Sequence, residues 1–157
     1  MAASAWKVFG LAKRALGRGS LTLHTGVFRM ALHKTSASAN LSQMRSVAST
    51  ISAWASIGFN ISARGGYVSS GRSIPGFKWS TGANQSTMKF YYTTTGLVFT
   101  ASNSSLINVR YAVIRNSTGA ANGIPLCYAA LSTAQFTITS PNTLTILPAS
   151  TGVFTLV

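Results

Sequence analysis

From residue 77 onward, apolar and hydroxyl-bearing residues alternate in short runs divided by Ser, Thr, Gly and Asn. Alternation with a period of two predicts half-buried strands. The predicted strands are 77–80, 87–93, 97–102, 108–115, 124–131, 135–139, 144–146 and 152–156. Another lies upstream at 27–32, where Val27, Arg29 and Ala31 alternate with Phe28, Met30 and Leu32. Elsewhere the period lengthens. Trp6, Phe9, Leu11 or Ala12, and Leu16 fall at near-helical spacing, with Gly17 and Gly19 as stop signals, and predict a short basic amphipathic helix over 4–16. After a polar loop at 35–43, the spacing of Leu41, Met44, Val47 or Ala48, Ile51, and Trp54 or Ala55 predicts a second helix within 41–57. Arg64-Gly65-Gly66-Tyr67 through Gly71, and then Pro75-Gly76, read as turns. Many short strands with turn signals between them predict a mainly β fold, a single-domain β-sandwich of jelly-roll-like type with one or two short peripheral helices. The expected division is a basic N-terminal helix or arm at 1–19 and a β-sandwich domain at 20–157, with residues 1–18 removable while the rest still folds.

Composition changes the picture in one respect. The chain has 157 residues, 13 Lys+Arg and no Asp or Glu, for a net charge of +13. A chain of this length ordinarily carries roughly 19 carboxylates. Without them, paired-carboxylate glycoside chemistry and a carboxylate-oriented triad are excluded, and only the C-terminal carboxylate of Val157 could offer Mg²⁺ or Ca²⁺ an anionic oxygen. His24, His33 and Cys127 are too few for a four-ligand zinc site. Cys127 lies in the apolar run Ile124-Pro125-Leu126-Cys127-Tyr128 and reads as a buried inert thiol. An enzyme is therefore not expected, nor is a cofactor or a metal. The 46% hydrophobic content supports a packed core rather than a disordered basic tail. No apolar run reaches the about 18 residues of a membrane span, and no signal peptide is expected, because the basic N-terminus lacks a contiguous apolar segment. Self-repulsion at +13 disfavours the compact state, and a negatively charged partner would relieve it.

The charge is unevenly placed. Lys89, Arg110 and Arg115 are the only basic residues after position 78, and residues 116–157 carry no charged side chain. The Gly66 to Gly71 spacing falls short of a phosphate-binding loop, which requires Lys-Ser/Thr after the second Gly where this chain has Arg72-Ser73. Trp6, Lys7, Phe9, Lys13, Arg14 and Arg18 interleave cations with aromatics, as do Phe77-Lys78-Trp79 and Lys89-Phe90-Tyr91-Tyr92. Such sets bind single-stranded nucleic acid by stacking and charge, and they equally make half-buried strands with an outward cation. The N-terminal helix has four readings: docking onto a protein, a membrane surface, nucleic acid, or packing on its own domain. His24 and His33 read as ordinary loop or strand residues.

An ordered set of short motifs carries a resemblance. Val109-Arg110-Tyr111-Ala112-Val113-Ile114, then Ser117-Thr118-Gly119-Ala120-Ala121, then Ile124-Pro125-Leu126 resembles a strand–turn–strand segment of small virion structural proteins of tailed bacteriophages. Phe136-Thr137-Ile138-Thr139 and the closing Gly152-Val153-Phe154-Thr155-Leu156-Val157 are similar to later strands of that family. Upstream, Gly66-Tyr67-Val68-Ser69-Ser70-Gly71 is similar to its Gly-Tyr turn, and Phe28-Arg29-Met30-Ala31-Leu32 to an early strand. The likeness covers roughly residues 21–157. Such relatives usually carry many acidic residues, and Ser, Asn, Thr and Gln stand in those places here. The resemblance implies a non-enzymatic structural protein at the virion, foremost a capsid decoration (cement) protein on the capsid surface. Its implied partner is the major capsid protein or another virion protein with an acidic surface, and a homo-oligomer is expected. The expected contact residues are Trp6, Lys7, Lys13, Arg14, Arg18, Arg29, Arg45 and Arg64. The alternatives are a tail, fibre-base or head–tail component, and a basic nucleic-acid-binding protein.

Overall fold

Each predicted run with an apolar alternate face becomes a strand where that face meets the core. The computed structural model describes residues 5–24, 26–34, 60–76, 78–81, 88–91, 96–117, 123–147 and 152–156, with the backbone alone for 78–81, 88–91 and 154–156. The chain is mainly β, with several antiparallel sheets. Strand β1 is Lys7–Val8, helix α1 is Gly10–Gly17, and β2 is Phe28–His33. Strands β3 to β6 are Arg72–Ser73, Lys78–Thr81, Met88–Tyr91 and Leu97–Thr100. Strands β7 to β9 are Leu106–Val109, Tyr111–Asn116 and Pro125–Ala130. Strands β10 to β12 are Phe136–Ile138, Thr143–Ile146 and Phe154–Leu156.

The central sheet has the order β1-β9-β8-β2-β3. Its middle strands are covered on both faces, so β8 and β9 read as nearly unbroken apolar runs. Around it lie the pairs β10-β7 and β11-β6 and the three-stranded β12-β5-β4. Strands β6 and β11 alternate buried and exposed positions, with Leu97, Phe99 and Ile146 in the core. One continuous core joins the layers, with Phe9, Phe28, Met30, Leu32, Leu106 and Ile114 among its fully buried side chains.

Three expectations change. The run 108–115 is two strands. Asn108, inside the first strand, has a left-handed φ of 64°, tolerable for Asn, where the register with its partner strand shifts, and the chain passes from one sheet into another at Arg110. The Arg110 N–H donates to the His33 carbonyl at 2.8 Å, so β7 pairs with β10 while β8 pairs with β2 and β9. The N-terminal helix begins at Gly10 instead of Ser4, because Lys7 and Val8 pair with Tyr128 and Cys127 of β9. Nor is its backbone separable: Phe9, Leu11, Ala12 and Ala15 are buried in the common core, so removing residues 1–18 would strip a strand and four core side chains. The predicted helix within 41–57 and the loop 35–43 lie outside the described residues.

Helix α1 has no side-chain N-cap, and strand pairing fixes its start instead. The Phe9 N–H donates to the Leu126 carbonyl at 3.0 Å, and the Phe9 carbonyl accepts the Lys13 N–H at 3.1 Å. Its end is a Schellman cap: Gly19 N–H to the Leu16 carbonyl and Ser20 N–H to the Ala15 carbonyl, both at 3.0 Å, with Gly19 at φ 68°. Phe9 packs on Tyr128 with ring centroids 5.0 Å apart. The short helix is thus held by its neighbours rather than by its own propensity.

Candidate functional site

The expected contact residues fall into two groups. At the first, Lys13, Arg14 and Arg18 project from the solvent side of α1, Lys7 is exposed on β1, and Trp6 is half-buried against the core. At the second lie Arg29 on β2 and the exposed Arg64 in the turn that follows Ile61. Arg45 lies outside the described residues. Strand alternation places Lys7 on the same sheet face as Arg29 and Arg115, through the row Lys7–Tyr128–Val113–Ala31. Three strand spacings and two residues separate Lys7 from Arg29, roughly 15 Å. That exceeds the Debye length of about 8 Å at physiological salt, so the two groups act as separate patches.

The second group gains members that sequence reasoning missed. Arg115 on β8 is the direct cross-strand partner of Arg29, and Arg72 on β3 stands opposite Met30. Like charges directly opposite each other destabilise a sheet. An acidic side chain between them would relieve this, and this chain has none. Backbone carbonyls of the 68–71 turn take its place. Arg29 Nε donates to the Ser70 carbonyl at 3.1 Å, and Arg29 Nη2 donates to the Gly71 carbonyl at 2.7 Å and to Ser70 Oγ at 3.3 Å. Arg115 Nη2 donates to the same Ser70 carbonyl, and Arg72 Nη1 donates to the Val98 carbonyl. Carbonyls orient the guanidinium groups without neutralising them. Burial, and then the charge on Arg29, push the Arg115 pKa below its usual value, with Tyr67 acting in the opposite sense.

The turn holding these carbonyls is set by Gly71. Its N–H donates to the Val68 carbonyl at 2.9 Å and its φ is 76°. A Cβ there would stand 2.4 Å from the Met30 carbonyl oxygen, so only glycine lets the turn lie against β2. Beneath it, the Tyr67 hydroxyl accepts the Leu32 N–H at 3.0 Å and donates to the Leu32 carbonyl at 3.4 Å. Burial pushes the Tyr67 pKa up to about 12, so the hydroxyl stays protonated at neutral pH. Arg29, Arg72, Tyr67, Val68, Phe99 and Leu106 are among the residues lining a cavity of about 240 Å³ between the turn and the core. Its rim is cationic and its floor aromatic and aliphatic.

Cys127 is wholly buried, and burial pushes its thiol pKa well up, away from the thiolate a nucleophile requires. Among the described residues no helix is long and apolar enough to cross a membrane. Comparison with protein-family models, with curated proteins and with solved structures finds no match. The arrangement can hold an oxyanion against oriented guanidinium groups.

The signal for the missed residues is thin. Arg72 was visible only as the residue that spoils a phosphate-loop pattern, and Arg115 only as the end of an apolar strand. Their meeting with Arg29 depends on the register of three strands far apart in sequence.

Proposed function

We propose that this protein is a non-enzymatic structural component of a tailed-phage virion, seated as a decoration (cement) protein on the acidic outer surface of the capsid. The observation that carries the docking part of this reading is the way α1 is mounted. Lys13, Arg14 and Arg18 face solvent while Leu11, Ala12 and Ala15 are locked in the core, in a chain with no carboxylate to draw the cations inward. A cationic ridge on a rigid base orients a protein on an anionic surface and raises its association rate. The capsid as that surface, and the homo-oligomeric state, rest on the ordered motifs described under Sequence analysis. The uncharged segment 116–157 supplies strands to four sheets and carries none of the cations.

Copy number in purified particles tests the placement. Hundreds of copies per particle, retained on shells emptied of DNA, are the expected result. About six or twelve copies would instead put the protein at the tail, neck or fibre base. Binding of the purified protein to arbitrary DNA with a steep negative slope of log K against log salt, together with its loss from emptied shells, would overturn the reading in favour of a nucleic-acid-binding protein.

A further inference from the structure

The cavity between the 68–71 turn and the core is smaller than pockets that take drug-sized ligands or cofactors, which run to about 300–1,000 Å³. Its volume of about 240 Å³ suits one side chain and not a nucleotide. Its chemistry is divided. Arg29 and Arg72 supply fixed N–H donors at the rim, while Phe99, Leu106 and Tyr67 supply an apolar floor. Arg29 commits Nε and both Nη2 hydrogens to the turn and keeps Nη1, while Arg72 commits Nη1 to Val98 and keeps its Nε–Nη2 edge, so each holds its plane with donors still unspent. Arg115, bonded to the same Ser70 carbonyl as Arg29, adds positive potential behind the rim.

The Nε–Nη2 edge of Arg72 matches a carboxylate by two parallel hydrogen bonds, and Arg29 Nη1 supplies a further charged donor. An apolar floor matches the methylenes that carry a glutamate carboxylate. It does not match a nucleic-acid phosphate, which stays hydrated and repeats along an open groove. We infer that this cavity is an anchoring pocket for one acidic side chain, a glutamate, of a partner protein, gripped at its carboxylate by Arg29 and Arg72. The partner thereby supplies in trans the acidic side chain that this chain lacks. The inference deepens the proposed docking role and rests on it for the identity of the partner, but not for the chemistry of the pocket.

The test is a backbone-amide NMR titration of the full chain with N-acetyl-glutamate N-methylamide, its glutamine analogue and inorganic phosphate. The glutamate probe should shift the amides of Tyr67, Val68, Phe99 and Thr100 saturably, with a dissociation constant on the order of millimolar. The glutamine analogue should bind at least about tenfold more weakly, as the loss of charge-assisted bonds requires. Arg72→Gln should weaken the glutamate probe by a similar factor. A second variant does not depend on altering an anchored arginine. Val68 lines the cavity and is 54% exposed, so Val68→Glu places an internal carboxylate at the rim without touching the core. It should block the probe, whereas Val68→Gln should not. Equal binding of the glutamate and glutamine probes, tighter binding of phosphate at the same amides, or undiminished binding in Val68→Glu would each overturn the pocket. None of these results depends on copy number in particles, so the pocket and the virion placement fail separately.

Discussion

The cations of α1 and the arginines beside the 68–71 turn carry the same charge but are held in different ways. Lys13, Arg14 and Arg18 stand in solvent on a helix whose opposite side is in the core. Arg29, Arg72 and Arg115 are bonded to backbone carbonyls, and two of them face each other across paired strands. The first arrangement leaves side chains free to meet any anionic surface. The second pre-pays the ordering of its guanidinium groups, so less entropy is lost when a ligand arrives. Exposed cations set the rate of encounter, and oriented ones set what is recognised. A chain without Asp or Glu makes the contrast visible, because no acidic side chain neutralises either region.

The largest test of this contrast asks what holds α1 in place. Phe9 is fully buried against Tyr128, and truncating a buried Phe costs about 3–5 kcal/mol. Phe9→Ala should lower the unfolding free energy from urea titration by that amount and dislodge the ridge. A loss below about 1 kcal/mol would show the ridge to be independent of the core. Gly71→Ala attacks the other region. Its Cβ meets the Met30 carbonyl at 2.4 Å in a left-handed conformation, so the turn must shift or the strand must move. Strain of this kind costs about 1–3 kcal/mol. The variant should abolish binding of the glutamate probe while amide shifts in α1 stay at their wild-type positions. Intact probe binding would separate the pocket from the turn geometry.

The strands were legible because alternation is local. Residues 97–100, 143–146 and 28–33 fall within a residue or two of the runs that predict them. The break at Arg110 was not legible, since Val109 to Ile114 is one apolar–polar run by pattern, and only pairing with two different sheets divides it. The start of α1 was hidden for a similar reason. Trp6 and Phe9 suit a helix by spacing, but β9 offers an unpaired edge that Lys7 and Val8 occupy. For the candidate site, the α1 cations could be read from composition and spacing. The arginine cluster could not, because Arg29, Arg72 and Arg115 meet only through long-range register.

Tyr67 sharpens the comparison through pH. Its folded pKa is pushed from 10 up to about 12 by burial, so the folded state keeps its proton after the unfolded chain has lost it. Stability therefore falls as pH rises from about 10 and levels off beyond about 12, by up to roughly 2.7 kcal/mol at 1.36 kcal/mol per pH unit. Every other titrating group is common to wild type and variant, so the difference between the two isolates Tyr67. Tyr67→Phe should lose about 1–3 kcal/mol at neutral pH, where the Leu32 N–H loses its acceptor, and should lack this additional alkaline decline. Parallel alkaline curves for the two proteins would mean that the hydroxyl is not buried under the turn.

The smallest effect on stability is expected at the α1 cations. Replacing Lys13, Arg14 and Arg18 together by Gln removes no core contact, since all three side chains are exposed. Surface substitutions of this kind leave the urea midpoint nearly unchanged. Arg14 and Arg18 sit at the helix C-terminus, where positive charge is favourable, and relief of the overall +13 acts in the opposite sense. The same triple variant should slow association with an acidic partner surface and flatten its salt dependence, while the dissociation rate and the glutamate-probe titration stay as in wild type. Val68→Glu should show the reverse: an unchanged association rate, a faster dissociation rate and a blocked titration. If both variants altered association and dissociation alike, the two regions would form one continuous surface, and the separation of steering from recognition would fall.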